Sequence, residues 1–219
     1  MKKLTLASLT AISLLLLNGC NPNRMVSRTE NTNLPKIEKV KTIVGATSVG
    51  FEWGELKTGL EGVNLYRIEG TGKELTLVGT ISSPFSSHYV DTGLKQNTLY
   101  TYSFTTLQGS YESKPIEGIP VKTLPPFEAI TFFQGFQKAQ NTIKLIWRPH
   151  PLTHVKMYKI EKSINGQQWN WIDNVPNRMM SEYIDTYVAP GNRYDYRIVA
   201  VGFDDSFSQR SAVITIMTK

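Results

Sequence analysis

The chain has 219 residues, with 24 basic and 18 acidic side chains, three histidines and one cysteine. Its formal charge of +6 is mild and falls short of the clustered basic surface of a nucleic-acid-binding protein. A single cysteine excludes an intramolecular disulfide, so the hydrophobic cores must stabilise the fold. The length suffices for one or two ordinary domains.

The first nineteen residues have the pattern of an export signal. Lys2 and Lys3 precede an uncharged apolar run over residues 4–17, which is too short to cross a bilayer of about 30 Å as a helix. The segment Leu17-Asn18-Gly19-Cys20 then resembles the lipobox of bacterial lipoproteins. This resemblance implies a signal peptide over 1–19 and a lipid such as palmitate on Cys20. We therefore expect an exported protein, held by lipid at the bacterial outer membrane and facing either the periplasm or the cell surface.

The next segment is polar. Without the 19 signal residues, 200 residues remain, with 22 basic and 18 acidic side chains. Residues 21–33 are rich in Asn and Thr and have no apolar periodicity, so 20–33 are predicted to be the lipidated cysteine and a flexible tether.

From residue 34 onward, short segments alternate between apolar and polar residues, which is the period of a half-buried strand. The two segments that show this best each end in tryptophan, at Trp53 and Trp147, and the two tryptophans lie 94 positions apart. The pairs Asp91-Thr92 and Asp185-Thr186 have the same spacing, as do Tyr100-Thr101-Tyr102 and Tyr194-Asp195-Tyr196. The sequence therefore predicts an internal repeat, with domains over 34–124 and 125–219.

A fourth pair of segments has a different spacing. Val63–Glu69 resembles Val155–Glu161 at a distance of 92 positions, which makes Tyr66 the expected equivalent of Tyr158. The two-residue difference is assigned to loops. Pro125 and Pro126 are expected to hold the joint between the domains extended.

These residues resemble those of the fibronectin type III domain. The likeness consists of a Trp at the end of the second strand, a Tyr in the third, and an Asp followed by an apolar residue with a Tyr six places further on. It implies an all-β chain of two tandem immunoglobulin-like β-sandwiches. It also implies that Tyr100 and Tyr194 are tyrosine corners, and that the structural core includes Trp53, Tyr66, Tyr100, Trp147, Tyr158 and Tyr194.

The sequence lacks the patterns of common catalytic and metal sites. No serine lies in a Gly-x-Ser-x-Gly elbow, and no glycine-rich phosphate loop is present. His150 and His154 are four apart, but flanking prolines argue against a helix, and no third ligand is evident. Asp204-Asp205 is read as a turn between the last two strands. We expect no enzyme activity, no cofactor and no metal site.

The strongest candidate for binding is the loop after Trp147. Its sequence, Trp147-Arg148-Pro149-His150-Pro151 with Val155 four residues later, resembles the fibronectin-binding stretch of the fibronectin-like adhesin lipoproteins of Campylobacter. Prolines order a loop in advance, and arginine is frequent at binding hot spots. The resemblance implies a host matrix protein, fibronectin above all, as the partner. The predicted contact residues are Arg148, Pro149, His150, Pro151, Leu152, Thr153 and His154.

A second candidate is the pair Trp169 and Trp171, which follows the hairpin signal Asn165-Gly166. Trp169 is expected to be packed, and Trp171 is added to the predicted contact residues. Three functions remain open. The first is an adhesin that binds a matrix protein through the second domain. The second is a periplasmic scaffold that binds an envelope component. The third is a carbohydrate-binding module that uses Trp169 and Trp171.

Overall fold

The computed structural model describes residues 28–219. The predicted signal peptide, Cys20 and the first part of the predicted tether lie outside the described residues. Every regular element among residues 28–219 is a β-strand, and no helix in this range could cross a membrane.

The first sandwich contains nine strands in two sheets. The smaller sheet has the order β2-β3-β6, and the larger has β1-β8-β7-β4-β5, with β9 also paired to β7. The strands are β1 Thr29–Glu30, β2 Lys41–Val44, β3 Ser48–Glu52, β4 Gly62–Glu69, β5 Thr76–Ile81, β6 His88–Thr92, β7 Leu99–Gln108, β8 Tyr111–Glu112 and β9 Ile119–Lys122.

The second sandwich repeats this arrangement with seven strands. Its smaller sheet has the order β10-β11-β14 and its larger sheet the order β13-β12-β15-β16. The strands are β10 Gln134–Ala139, β11 Thr142–Ile146, β12 Val155–Ile164, β13 Asn170–Pro176, β14 Glu182–Asp185, β15 Arg193–Gly202 and β16 Ile214–Met217. The prediction of an all-β chain with two tandem immunoglobulin-like β-sandwiches is confirmed.

Each sandwich has its own core between its two sheets. Trp53 and Trp147 are both buried, each just after the second strand of its smaller sheet. Tyr100 and Tyr194 are buried as well. The hydroxyl of Tyr100 accepts a hydrogen bond from the backbone N–H of Lys95 at 2.9 Å, and that of Tyr194 accepts one from Ala189 at 2.8 Å. This is the geometry of a tyrosine corner, which ties the connection before the strand to the core.

The end of the predicted tether is part of the first domain. β1 pairs in parallel with β8, where the N–H of Thr29 donates to Ser110 O at 2.9 Å and that of Asn31 to Glu112 O at 2.8 Å. Leu34 follows and is buried. Thr29–Glu30 therefore extends the larger sheet, and the predicted boundary between tether and domain at residue 34 lies too late in the chain. The sequence did not indicate this strand because both of its residues are exposed, so it lacks the apolar alternation of a half-buried strand.

The third strand of each repeat aligns differently from the sequence prediction. Leu65 pairs with Phe104 on β7, and Ile160 pairs with Ile198 on β15. Since Phe104 and Ile198 are 94 positions apart, Leu65 and Ile160 are equivalent, at a spacing of 95 rather than 92. The correct shift differs by three residues, and an odd shift moves a side chain to the opposite face of the sheet.

Tyr66 is consequently not the equivalent of Tyr158, and its assignment to the core is wrong. Tyr158 is fully buried, whereas Tyr66 is half-buried on the other face of its sheet. The hydroxyl of Tyr66 donates to Glu112 Oε1 at 2.6 Å. Burial, together with the hydrogen bond to Glu112, raises the pKa of Tyr66 to about 12.

A buried aspartate joins the two sheets of each sandwich. Asp91 of β6 accepts hydrogen bonds from the hydroxyl of Tyr102 at 2.8 Å and from Arg67 Nη1 at 2.7 Å. In the second sandwich, Asp185 of β14 accepts from the hydroxyl of Tyr196 at 2.8 Å and from Lys162 Nζ at 2.7 Å. The aspartates and tyrosines are the repeat anchors found in the sequence, and the cation is the third member of each network.

The two networks differ in their contact with water. In the first, 25% of the Arg67 side chain is exposed, whereas in the second only 9% of Lys162 is exposed. We expect Asp185→Asn to lower the free energy of unfolding of the second domain by about 3–5 kcal/mol, because it leaves a buried ammonium unpaired. Asp91→Asn should cost less, because water can solvate Arg67. Urea denaturation, followed by fluorescence and fitted to separate domain transitions, measures both losses.

The double variant Lys162→Met/Asp185→Asn is the control for this prediction. It removes the unpaired charge, so it should recover most of the stability that the single variant loses. Equal losses for Asp91→Asn and Asp185→Asn would contradict the assigned role of burial.

Candidate functional site

The candidate loop connects β11 to β12 at the end of the second sandwich that faces the first domain. It lies beside the turn after β15, where the N–H of Phe203 donates to His154 O at 2.9 Å. That turn contacts the first domain: Thr47 Oγ1 donates to Asp204 O at 2.5 Å. The loop is therefore at the joint between the two domains and not at the free end of the molecule.

His150 is not available to a partner, so its prediction as a contact residue is wrong. Only 2% of His150 is exposed. The N–H of Leu152 donates to its Nδ1 at 3.2 Å, and its Nε2 lies 3.1 Å from Glu128 O. An acceptor role for Nδ1 places the proton on Nε2, which donates to the carbonyl. Both ring nitrogens are thus occupied within the domain.

Other contacts fix the backbone of the same residue. The N–H of His150 donates to the hydroxyl of Tyr158 at 2.7 Å, and Arg178 Nη1 donates to His150 O at 2.9 Å. The ring of Phe127 lies between His150 and His154, with centroids 5.3 and 4.9 Å away. The buried His150 therefore fixes the loop to the body of the domain. Its partners Glu128 and Arg178 lie more than twenty residues away in the sequence.

Most residues that carry the adhesin resemblance face the interior. Trp147, His150 and Val155 are buried, and Pro149 is half-buried. The surface of the loop is formed by Arg148, Pro151, Thr153 and His154, with Leu152 half-buried among the packed residues of the core. Of the exposed positions, Thr153 and His154 lie between Pro151 and Val155, in the stretch 152–154 that does not carry the resemblance. The matched positions therefore build the loop more than they present a surface to a partner.

Trp171 lies on the sheet face and not in the loop. It is 59% exposed and pairs with Glu161 across β13 and β12. Trp169 is half-buried, since Arg197 covers its ring with Cζ 4.1 Å from the centroid. The two tryptophans thus do not form a continuous open platform of the kind on which a sugar ring stacks.

The sequence interpretation missed two residues beside Trp171. The ammonium of Lys159 lies 5.7 Å from the ring centroid of Trp171 and 5.3 Å from that of Phe207. Phe207 follows β15 and forms an isolated antiparallel bridge with Val201. We call Trp171, Lys159 and Phe207 the sheet-face patch. Strand alternation could have placed Lys159 near Trp171, but Phe207 comes from a turn whose path the sequence does not show.

The turn that carries Phe207 is held by local hydrogen bonds. Asp204 Oδ1 accepts from the hydroxyl of Ser206 at 2.6 Å and from its N–H at 3.1 Å. Burial alone would raise the pKa of Asp204, but the hydrogen bonds from Ser206 outweigh it and lower the pKa. Asp205 adopts a positive φ of 60°. The Asp-Asp pair therefore shapes a turn, as its sequence context indicates.

A groove of about 820 Å³ lies between this turn and the first domain. Its apolar lining comes mainly from Leu94, Phe203 and Phe207, and Lys95, Asp204 and Asp205 add charges at its sides.

Within residues 28–219, no group of three or more His, Cys, Asp or Glu side chains could hold a metal ion.

Comparisons with known proteins identify no family for this chain. No family model and no curated protein matches the sequence. A chicken contactin (CNTN1) segment, FN1–FN3, is 14% identical with a TM-score of 0.46, and the match covers 88% of this chain and 68% of that one. A two-domain fibronectin type III segment of chicken tenascin is 18% identical with a TM-score of 0.39, and the match covers 84% of this chain and 100% of that one. Neither likeness identifies a partner.

The two loop histidines should respond differently to substitution. His150→Ala is expected to lower the free energy of unfolding of the second domain by about 2–4 kcal/mol, because it leaves a cavity and unpaired polar groups. His154→Ala should change it by less than about 0.5 kcal/mol, since the side chain is exposed. Urea denaturation of the two variants checks this, and equal stabilities would contradict a structural role for His150.

Proposed function

We propose that this chain is a bacterial lipoprotein, anchored through lipid on Cys20, that binds a host matrix protein through its second domain, with fibronectin as the favoured partner. The main support is the loop over residues 148–154. Its prolines and the buried His150 order it before a partner arrives, which lowers the entropy cost of docking. Arg148 and His154 are its exposed cationic and titratable side chains.

The proposed mechanism is reversible docking without chemistry. The lipid on Cys20 fixes one end, and the seven residues 21–27 can span at most about 25 Å before the first described residue. Because β1 is part of the first sandwich, the tether is shorter than the sequence pattern suggests. Several copies on one cell would add avidity without new contacts.

The other two functions have weaker support. A periplasmic scaffold would share the lipid anchor and the fold, but no described contact favours an envelope component. Carbohydrate binding requires an open aromatic face, whereas Arg197 covers Trp169 and Lys159 approaches Trp171. The exposed loop therefore favours a protein partner.

Binding of the lipid-free mature chain to immobilised fibronectin tests the proposal. We expect Arg148→Ala/His154→Ala to weaken binding about tenfold, the loss expected for truncating a hot-spot arginine. The matched control is Glu55→Ala/Lys57→Ala in the corresponding loop of the first domain, which also removes two exposed polar side chains. The control should bind like the parent. Absence of binding by the folded parent would contradict the choice of fibronectin.

The anchor has its own test. Cys20→Ser should release the protein from the membrane fraction of its bacterium, while thermal unfolding of the released chain matches that of the lipid-free mature chain.

Protease treatment of intact cells that express the parent then tests surface exposure. Protection of the protein in intact cells, with cleavage after outer-membrane permeabilisation, would overturn the adhesin role in favour of the scaffold.

A further inference from the structure

We propose that the sheet-face patch of Trp171, Lys159 and Phe207 is a second binding surface, separate from the 148–154 loop, and that it takes an acidic polypeptide segment with apolar side chains. A carboxylate of the segment would pair with Lys159, and neighbouring apolar side chains would pack on the two aromatic rings. This proposal does not depend on fibronectin being the partner of the loop.

The three side chains form a row across the larger sheet of the second domain. Lys159 lies on β12 with its ammonium between the two rings, at 5.7 Å from the Trp171 centroid and 5.3 Å from the Phe207 centroid. Trp171 on β13 is 59% exposed, and Phe207 beyond β15 is 39% exposed. Exposed aromatic rings offer large apolar contact area, and Trp in particular is enriched at binding hot spots.

The charges of this face favour an anionic partner. Glu161 accepts hydrogen bonds from both Arg197 and Arg210, so one carboxylate serves two guanidinium groups. Lys159 forms no ion pair within residues 28–219, and its ammonium is left to the two rings. Three cations and one carboxylate leave a positive balance that a partner carboxylate can offset.

The same features favour a polypeptide over other anions. A sulfated glycan or an anionic membrane is bound through several cations that have no carboxylate partner. On this face Arg197 and Arg210 both bind Glu161, and of the three cations Lys159 alone has no carboxylate partner within residues 28–219. An acidic polypeptide supplies the single carboxylate and, two residues away in an extended chain, the side chains for the aromatic walls. An acidic polypeptide with apolar side chains would therefore contact both the aromatic rings and the ammonium of Lys159.

The first domain positions one wall of the patch. The side-chain amide of Gln96 accepts from the N–H of Phe207 at 2.8 Å and donates to its carbonyl at 3.1 Å. Gln96 therefore binds the backbone of Phe207 as a neighbouring strand would. It is a positioning residue that touches no part of the proposed ligand, so its loss should loosen Phe207 while the charge of the patch stays the same.

The test uses fluorescein-labelled (Glu-Gly-Phe-Ser)₃, in which Glu and Phe two residues apart share a face of the extended peptide, and the mature chain carrying Cys20→Ser, with binding followed by fluorescence anisotropy. We expect Trp171→Ala and Lys159→Glu each to weaken binding at least tenfold, and Gln96→Ala to weaken it by a smaller factor. Lys138→Glu is the matched control, because Lys138 lies 5.4 Å from the Phe136 ring on the other sheet of the same domain. It should bind like the parent, and thermal unfolding verifies that all variants fold.

Two further probes separate the chemical classes. (Lys-Gly-Phe-Ser)₃ and (Glu-Gly-Ala-Ser)₃ should bind at least tenfold more weakly than the acidic aromatic peptide, since each lacks one of the two required features. Failure of the parent to bind the acidic peptide, an equal loss in the Lys138→Glu control, or tighter binding of heparin would overturn the proposal. Arg148→Ala/His154→Ala should still bind the peptide, so failure of the fibronectin proposal leaves this result unaffected.

Discussion

In each sandwich, a buried aspartate connects the two sheets through a tyrosine hydroxyl and a cation. Because Asp91 and Asp185 come from the smaller sheets and their partners from the larger ones, these networks set how the sheets face each other. Burial, followed by the hydrogen bond and charge of Asp91, raises the pKa of Tyr102, and burial with the charge and hydrogen bond of Asp185 does the same for Tyr196. Both hydroxyls therefore remain protonated donors up to strongly alkaline pH. The rest of each core packs around this fixed polar contact.

A buried polar residue whose hydrogen bonds are satisfied within the domain also fixes the candidate loop. His150 looks like a binding residue because it is titratable and lies between two prolines, yet its partners are a backbone carbonyl, a backbone amide and the hydroxyl of Tyr158. A buried histidine with both ring nitrogens occupied gives the loop one conformation. Arg148 and His154 are then presented from a fixed base, and in the proposed docking the specificity would depend on the few exposed positions.

Much of the fold could be predicted from the sequence, because the Trp, Asp and Tyr anchors keep a spacing of 94 in both copies. The alignment of the third strand could not, because VNLYRIE and VKMYKIE match as letters while their inward-facing residues are offset by three. The alternation of inward-facing and outward-facing side chains along the strand was a better guide to the alignment. It places Val63 and Leu65 toward the core of their sandwich, as it does their equivalents Tyr158 and Ile160, and all four are buried. The strand β1 was missed because it has only two residues and both are exposed, so no apolar alternation marks it in the sequence.

The candidate surfaces depend on contacts between residues far apart in sequence, which explains why only part of them was predicted. Trp171 was recognised by its size, but Lys159 and Phe207 join it only after β12 and the turn following β15 take their places. Gln96 lies 111 residues before Phe207 and holds it through a pair of hydrogen bonds. A repeat of two similar domains thus need not have two similar surfaces. Here the first domain shapes a turn of the second, and this asymmetry makes one face of an ordinary β-sandwich suitable for recognition.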